Sequence, residues 1–363
     1  MKMSSKGLWV KYGLGISSLF FMEMFGAFPG GWTIANASSK SRIDARSNQV
    51  ELLQIDELDV DPDGVAYDII TIGNRALVGI LFGGGGVHSL EVSKAGALLH
   101  RGYGAAGNLV RDLVHSEDVL YLSVDSLSNG GIKKFDSSNP DSLIEISANS
   151  EVGPENSRVG VTEEFIYAAK FEYDIPGQQL QRLNKTSLTT DKTVPTAGYG
   201  EVVLAKDGYI IVMESGPFNG VELFDNAMAL KTSIAHNRFP YHASVLEGDL
   251  FVGTEFGVYV YDVSALPAIT LKTVIAVPNS EVVTGLARSG DLLFGLTWEG
   301  NVYSFNIHNW DKVIQGGTLS LPIFGSSLAL MDDKLLAGGS AGESAKVYSI
   351  AIVRSVDPIS DPQ

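Results

Sequence analysis

Glu247-Gly248-Asp249-Leu250-Phe251-Val252-Gly253-Thr254-Glu255-Phe256-Gly257-Val258-Tyr259-Val260-Tyr261-Asp262-Val263 holds two short β-rich runs around a Glu/Gly turn. The phrase returns as Ser289-Gly290-Asp291-Leu292-Leu293-Phe294-Gly295, followed by Trp298-Glu299-Gly300-Asn301-Val302-Tyr303-Ser304-Phe305. Apolar and β-branched residues alternate with small or polar ones, and turn residues close each run, which is the pattern of half-buried strands. The first apolar residue of each such phrase is Ala76, Val119, Phe165, Tyr209, Leu250, Leu292 and Leu335, at spacings of 43, 46, 44, 41, 42 and 43. A unit of about 40–45 residues with about four strands is the size of one propeller blade. One blade cannot cover both of its faces, so blades must stack around an axis. The expected fold is therefore all-β: a seven-bladed β-propeller of four-stranded antiparallel blades.

Closure accounts for the ends of the repeat. The last copy supplies three strands, at 327–331, 334–338 and 346–353. Gln49-Val50-Glu51-Leu52-Leu53-Gln54-Ile55 is a spare strand ahead of the first copy, and it is expected to complete the seventh blade. The propeller then spans 49–356, after a flexible segment at 38–48 and before a Pro-containing tail at 357–363 that is expected to be disordered.

The chain starts with basic residues Lys2, Lys6 and Lys11, continues with an apolar run at 14–28, and reaches Ala35-Asn36-Ala37. Basic, apolar, then small-x-small is the order of a secretory signal peptide, so residues 1–37 are expected to be removed on export to a periplasm or the extracellular space. The run, at about 15 residues, is shorter than the roughly 20 needed to span a bilayer, and no membrane span is expected in the mature chain.

Composition removes several function classes. With 42 acidic and 26 basic residues the formal charge is −16, which repels nucleic acid and anionic lipid surfaces. The absence of cysteine excludes disulfides, thiolate metal sites and cysteine nucleophiles. Two glycine motifs imitate catalytic ones. Gly102-Tyr103-Gly104-Ala105-Ala106-Gly107 matches a dinucleotide fingerprint, and Gly338-Gly339-Ser340-Ala341-Gly342 matches a nucleophile elbow. Both need a helix after the turn, and both are followed by β-like sequence. The single Trp310-Asp311 does not make a WD repeat.

In a propeller the inner strands begin on the face that also carries the turns between second and third strands. Eight residues before each anchor stand Asp68, Arg111, Ser157, Glu201, His242, Thr284 and Ser327, all polar, which suggests a solvent-filled channel mouth. The turns on that face carry Asp125, Glu172, Asp174, Glu214, Glu255, Glu299 and Glu343, with Gly83-Gly84-Gly85-Gly86 in the first blade. An acidic pocket for a cation or a basic partner is one expectation; the other is that exposed turns of an acidic protein carry acids regardless. Asp59-Val60-Asp61-Pro62-Asp63-Gly64 resembles the opening of a calcium loop, with Ile70 where an EF-hand places its bidentate Glu. Asp59, Asp61 and Asp63 are thus the candidate metal ligands, with calcium as the only candidate cofactor, and an Asp-rich turn between strands is the alternative.

Three stretches resemble the LVIVD-type repeat of exported bacterial β-propellers: Gly257-Val258-Tyr259-Val260-Tyr261-Asp262-Val263-Ser264-Ala265-Leu266-Pro267, Gly131-Ile132-Lys133-Lys134-Phe135-Asp136-Ser137-Ser138-Asn139-Pro140, and Gly220-Val221-Glu222-Leu223-Phe224-Asp225. In this pattern the Asp and Ser are expected to bond the turn between third and fourth strands, and 88–92 and 301–307 keep the strand without the Asp. The resemblance implies an exported propeller without assigned catalysis. Three readings follow: a non-catalytic, monomeric scaffold that recognises a protein, peptide or glycan; a lactonase-like metal-dependent hydrolase at the channel mouth; and an accessory subunit of an exported redox complex.

Overall fold

A computed structural model describes residues 50–106, 109–125, 130–150, 156–170, 178–236, 238–246 and 248–354. The residues of the expected signal peptide and tail, and of Glu172 and Asp174, lie outside these. The described chain forms seven four-stranded antiparallel sheets. Blades one to six span 64–104, 109–149, 156–195, 199–235, 240–275 and 283–320. Each inner strand packs against the inner strand of the next blade, and the inner strand of blade seven, Phe324–Met331, returns to that of blade one, Gly64–Ile72. The sheets therefore close a ring.

Closure uses the expected strand, longer than the sequence indicated. Val50–Asp61 pairs antiparallel along Ser344–Arg354 and becomes the fourth strand of blade seven. Leu52 and Val50 are buried with Phe294, Leu296 and Tyr348, so the closing strand helps fill the core between blades six and seven. Leu53 and Ile55 face outward. The glycine motifs resolve in favour of strands. Leu109–Ser116 is the inner strand of blade two rather than a helix, and Lys334–Ala341 is a hairpin strand paired with Ser344–Arg354.

The turns between third and fourth strands share one device. Asp136 and Asp262 accept from the backbone amides of Ser138 and Ser264, each at 2.9 Å. Asn184 does the same for Thr186 and Ser187, Asp225 for Ala229, and Asn306 for His308. In blade one Ser93 accepts from Ala97. A short polar side chain bonding its own turn favours the reversal locally, before any blade packs. The blades without the Asp thus keep its function in another side chain.

Close approach between blades is set by small residues on the second strands. A Cβ at Gly79 would stand 2.7 Å from Cγ1 of Val110 in the next blade, and one at Gly338 would stand 2.7 Å from Cδ1 of Ile69. Polar latches add to this packing: the Arg75 guanidinium forks onto Asp141 of blade two at 2.8 Å through both Nε and Nη2, and Ser89 donates to the same carboxylate.

The closing strand makes a measurable prediction. Leu52→Ala removes a side chain wedged between blades and is expected to cost about 2–4 kcal/mol. Leu53→Ala, on the outward side of the same strand, is expected to cost about 0.5 kcal/mol or less. Urea unfolding of both variants checks the difference.

Candidate functional site: the channel mouth

Every inner strand carries a register irregularity near its start. The shifts fall between Ala66 and Asp68, Val110 and Asp112, Asn156 and Val159, Gly200 and Val202, Pro240 and His242, Val283 and Gly285, and Gly325 and Ser327. A bulge puts an extra residue into one strand and re-aims side chains, so two successive positions per blade serve the channel. The unpaired positions include Tyr67, Arg111, Glu201, Tyr241, Thr284 and Ser326. The positions that follow are Asp68, Asp112, Arg158, Val202, His242, Gly285 and Ser327.

The expected polar ring is therefore two rings interleaved. Asp68, His242 and Ser327 belong to the second, whereas Arg111, Glu201 and Thr284 belong to the first. The cause lies in how the second strands begin. In blades one, five and seven they start on polar residues, Arg75, Asp249 and Lys334; in the other four they start on apolar Val119, Phe165, Tyr209 and Leu292. Counting from the first apolar residue slipped the register by one in those four blades, and it missed Tyr67, Asp112, Arg158 and Tyr241.

The second ring joins blades. An inner strand is paired on one side only, so some of its amides need partners from outside the sheet. Ser327 Oγ accepts from the Ile69 amide at 3.1 Å, Asp68 from the Leu113 amide at 2.9 Å, and Asp112 from the Val159 amide at 2.7 Å. Each acceptor comes from the preceding blade. Arg158 lies 3.7 Å from Asp68 and 3.8 Å from Asp112. Burial, and next the neighbouring Asp68, push Asp112 up to about 7, against the pull of Arg158.

Blades four and five present a different chemistry. Glu201 accepts from the Ser215 hydroxyl at 2.6 Å; burial raises its pKa, while Ser215, Arg111 and Arg158 work the other way. Arg111 is held by Asp125, through Nε at 2.8 Å and Nη2 at 2.7 Å. His242 is 8% exposed and its Nδ1 has no hydrogen-bond partner among the described residues. Burial, and then the Arg158 guanidinium, hold the His242 pKa well below the usual histidine value, so the ring is neutral.

Several turn acids serve backbone amides. Glu214 is fully buried and accepts from Gly198 at 2.8 Å, Glu222 beside it accepts from Ala197 at 3.1 Å, and Glu255 accepts from Phe239 at 3.0 Å. Burial and the adjacent Glu222 push Glu214 up to about 9, so Glu214 keeps its proton at neutral pH. Glu299 is exposed on the same face, and partial burial raises its pKa.

The DxDxDG stretch divides between a strand and a turn. Asp59 is paired with Lys346 at 3.1 Å and accepts from Ser344 at 2.9 Å. Asp61 is turned inward and accepts from the amides of Asp63 at 3.0 Å and Gly84 at 3.3 Å. Asp63 is exposed. Among the described residues no three His, Asp or Glu side chains converge at metal-binding distance. Asp61 ties the closing strand to the glycine turn of blade one.

Aromatic side chains occupy the same face. Phe82 and Tyr103 of blade one, Phe256 of blade five and Phe324 of blade seven are between 39% and 46% exposed. Trp298 of blade six lies 5.9 Å from Phe324, and Phe239 lies 4.8 Å from Tyr241, ring centre to ring centre. Blades five, six, seven and one are neighbours, and Trp298 and Phe324 bring the rings of blades six and seven together. Arg238 lies over the Phe256 ring at 3.9 Å.

No protein-family model matches the sequence, and no curated protein matches it. Solved structures do match. The WD40 domain of Neurospora crassa Pan2 superposes with a TM-score of 0.64 at 10% identity, over 86% of this chain and 98% of that one. Raptor from Chaetomium thermophilum gives 0.66 at 11% identity, over 86% of this chain and 29% of that one. Virginiamycin B lyase from Staphylococcus aureus gives 0.62 at 11% identity, over 84% of this chain and all (100%) of that one. Identities this low establish the propeller fold and nothing about the site.

The proton kept by Glu214 sets a pH dependence. A carboxyl group whose folded pKa is raised stabilises the fold fully below its unfolded pKa and loses that contribution as pH rises through the folded value. For Glu214 the loss runs from about 4.5 to about 9. Glu214→Gln is expected to melt progressively higher relative to the parent as pH rises across that window. Thermal melts of both proteins at several pH values check the sign.

Proposed function

We propose that the protein is an exported, non-catalytic propeller scaffold of the LVIVD-repeat kind, which recognises a protein, peptide or glycan through the channel-mouth face. The observation that carries this reading is the set of exposed rings of Phe82, Tyr103, Phe256 and Phe324 on the mouth face, with half-buried Trp298 beside Phe324. Large exposed aromatic surface is costly to keep in water, and contiguous patches of it mark interaction sites. A closed ring of sheets holds such a surface rigidly, so little conformational freedom is lost on binding. Many of the polar groups at the mouth are already engaged in holding turns and joining blades, which fits a scaffold better than a reaction centre. Among the solved structures of this fold, the Pan2 domain is a WD40 domain and virginiamycin B lyase is an enzyme, so the fold is compatible with either class.

One observation favours a second reading, an enzyme with its site in the channel. Burial raises the Glu201 pKa and holds that of His242 well below its usual value, and such perturbation is frequent in catalytic acids and bases. A hydrolase of this type would need a metal to activate water, held by Glu201, His242 and further donors brought in on binding.

Two experiments separate these readings. Immobilised protein is incubated with the exported proteome of its source organism, beside a Phe256→Ser, Phe324→Ser double variant of equal melting temperature. The scaffold reading expects at least one partner to be retained by the parent and lost by the variant; equal retention by both would reject it. Thermal melting with calcium, zinc or EDTA tests the enzyme, since a metal at 100 times its Kd stabilises by ~2.7 kcal/mol. No shift with any metal would count against the metal-dependent reading.

A further inference from the structure

We infer that the junction of blades one, two and three is a proton-responsive clasp, closed by a single proton held on Asp112 and loosened when that proton leaves. This clasp is independent of the scaffold reading and of any partner.

The junction holds more negative than positive charge. Asp68 and Asp112 are each 5% exposed, and both converge on one nitrogen of Arg158, whose Nη1 lies 3.7 Å from Oδ1 of Asp68 and 3.8 Å from Oδ1 of Asp112. Two buried carboxyl groups thus face one guanidinium. Arg158 feels Glu201 and Tyr67 as well, after the two aspartates. Arg111 does not restore the balance, because Asp125 holds it through Nε at 2.8 Å and Nη2 at 2.7 Å. Ionising both aspartates in a site closed to water is costly, and a pair of this kind settles by keeping a proton.

The hydrogen-bond donors decide which carboxyl group keeps it. Asp68 receives two, the Leu113 amide at 2.9 Å and the Ser327 hydroxyl at 3.3 Å. Asp112 receives one among the described residues, the Val159 amide at 2.7 Å. Ser123 stands opposite Asp112 in the strand register, yet its buried hydroxyl has no partner among the described residues. Donors favour the charged form of an acceptor, so the proton falls to Asp112. Burial first, and then Asp68, push Asp112 up to about 7, with Arg158 and the Val159 amide working against them.

Both aspartates also join blades, since Leu113 opens the edge of blade two to Asp68 and Val159 that of blade three to Asp112. A protonated Asp112 hydrogen-bonds to Asp68 and couples the two joints. Loss of the proton replaces that bond with repulsion between like charges. The folded pKa is raised from 3.8, so the proton stabilises the fold fully below about 3.8, and its contribution is lost as pH rises through about 7.

NMR of the side-chain carboxyl carbons in protein labelled with carbon-13 aspartate reads this proton directly and leaves Glu201 and Glu214 silent. One aspartate resonance with a midpoint at about 7 is expected in the parent. It is expected to be missing from Asp112→Asn, which keeps an oxygen for the Val159 amide. Asp68→Asn removes the like charge and is expected to lower the midpoint by about one pH unit or more. Hydrogen exchange at Leu113 and Val159, corrected for the intrinsic rate, is expected to lose about tenfold protection as the parent passes through the midpoint, and to show no such step in Asp112→Asn. A parent in which no aspartate resonance titrates above a pH of about 5 would overturn the inference, whether or not the variants fold. A midpoint unmoved by Asp68→Asn, or the same exchange step in the parent and Asp112→Asn, would overturn it too.

Discussion

The unpaired edge of the inner strand is the constraint on which the rest of the channel depends. Seven sheets meet at an axis, and each presents there a strand bonded on one side only. A buried amide without an acceptor costs about 1–3 kcal/mol, so the ring must satisfy these edges from within. At three successive junctions the answer is a side chain of the preceding blade: Ser327 for Ile69, Asp68 for Leu113, Asp112 for Val159. The bulge just before each of these residues is what turns the side chain toward its neighbour. Packing between blades and hydrogen bonding at the axis are thus one arrangement, and closure by Val50–Asp61 brings blade seven into the same arrangement as the rest.

Polar lining and available polar lining are consequently different quantities. Blades seven, one and two commit their channel side chains to amides, and Arg158 compensates two of the buried carboxylates. Val202, His242 and Gly285 stand at the same station in blades four to six, and none of them has the hydroxyl or carboxylate that does this work elsewhere. Blade six turns to another solution: the Thr284 hydroxyl donates to the Gly325 carbonyl of the next blade at 2.9 Å. His242, at that station in blade five, keeps a buried Nδ1 without a hydrogen-bond partner among the described residues.

The architecture was legible because its signals are local and repeated. Alternation along each strand, turn residues near every reversal and even spacing of Ala76 through Leu335 all follow from period-two burial in equivalent sheets. The spare strand near Leu52 was legible because the last repeat lacked one. The site was legible only in part. Whether Arg111 or Asp112 faces the next blade depends on a bulge, and a bulge leaves no mark in composition. Arg158 could have been found by aligning strand starts such as Arg75, Asp249 and Lys334 with apolar ones such as Val119. The turn acids were beyond this kind of reading. Asp125, Glu214, Glu255 and Glu299 look alike in sequence, yet a guanidinium, a crossover amide or open solvent lies opposite each, and only the fold decides which.

Ten per cent identity to the Pan2 domain, with most of both chains superposed, bears on where function can reside. What such distant chains must share is a set of interchangeable solutions: any short polar side chain to bond a turn, any oxygen to receive an edge amide, any small residue where blades approach. Here Ser93, Asp136 and Asn184 already fill one structural station with three residue types within a single chain. Residues under such loose constraint carry little information about activity. The informative residues are those that satisfy none of these demands and still keep a buried ionisable or aromatic group, because burial without a structural return is a cost that folding alone does not explain. By that criterion Glu201 and His242 say more about this protein than the repeat that builds it.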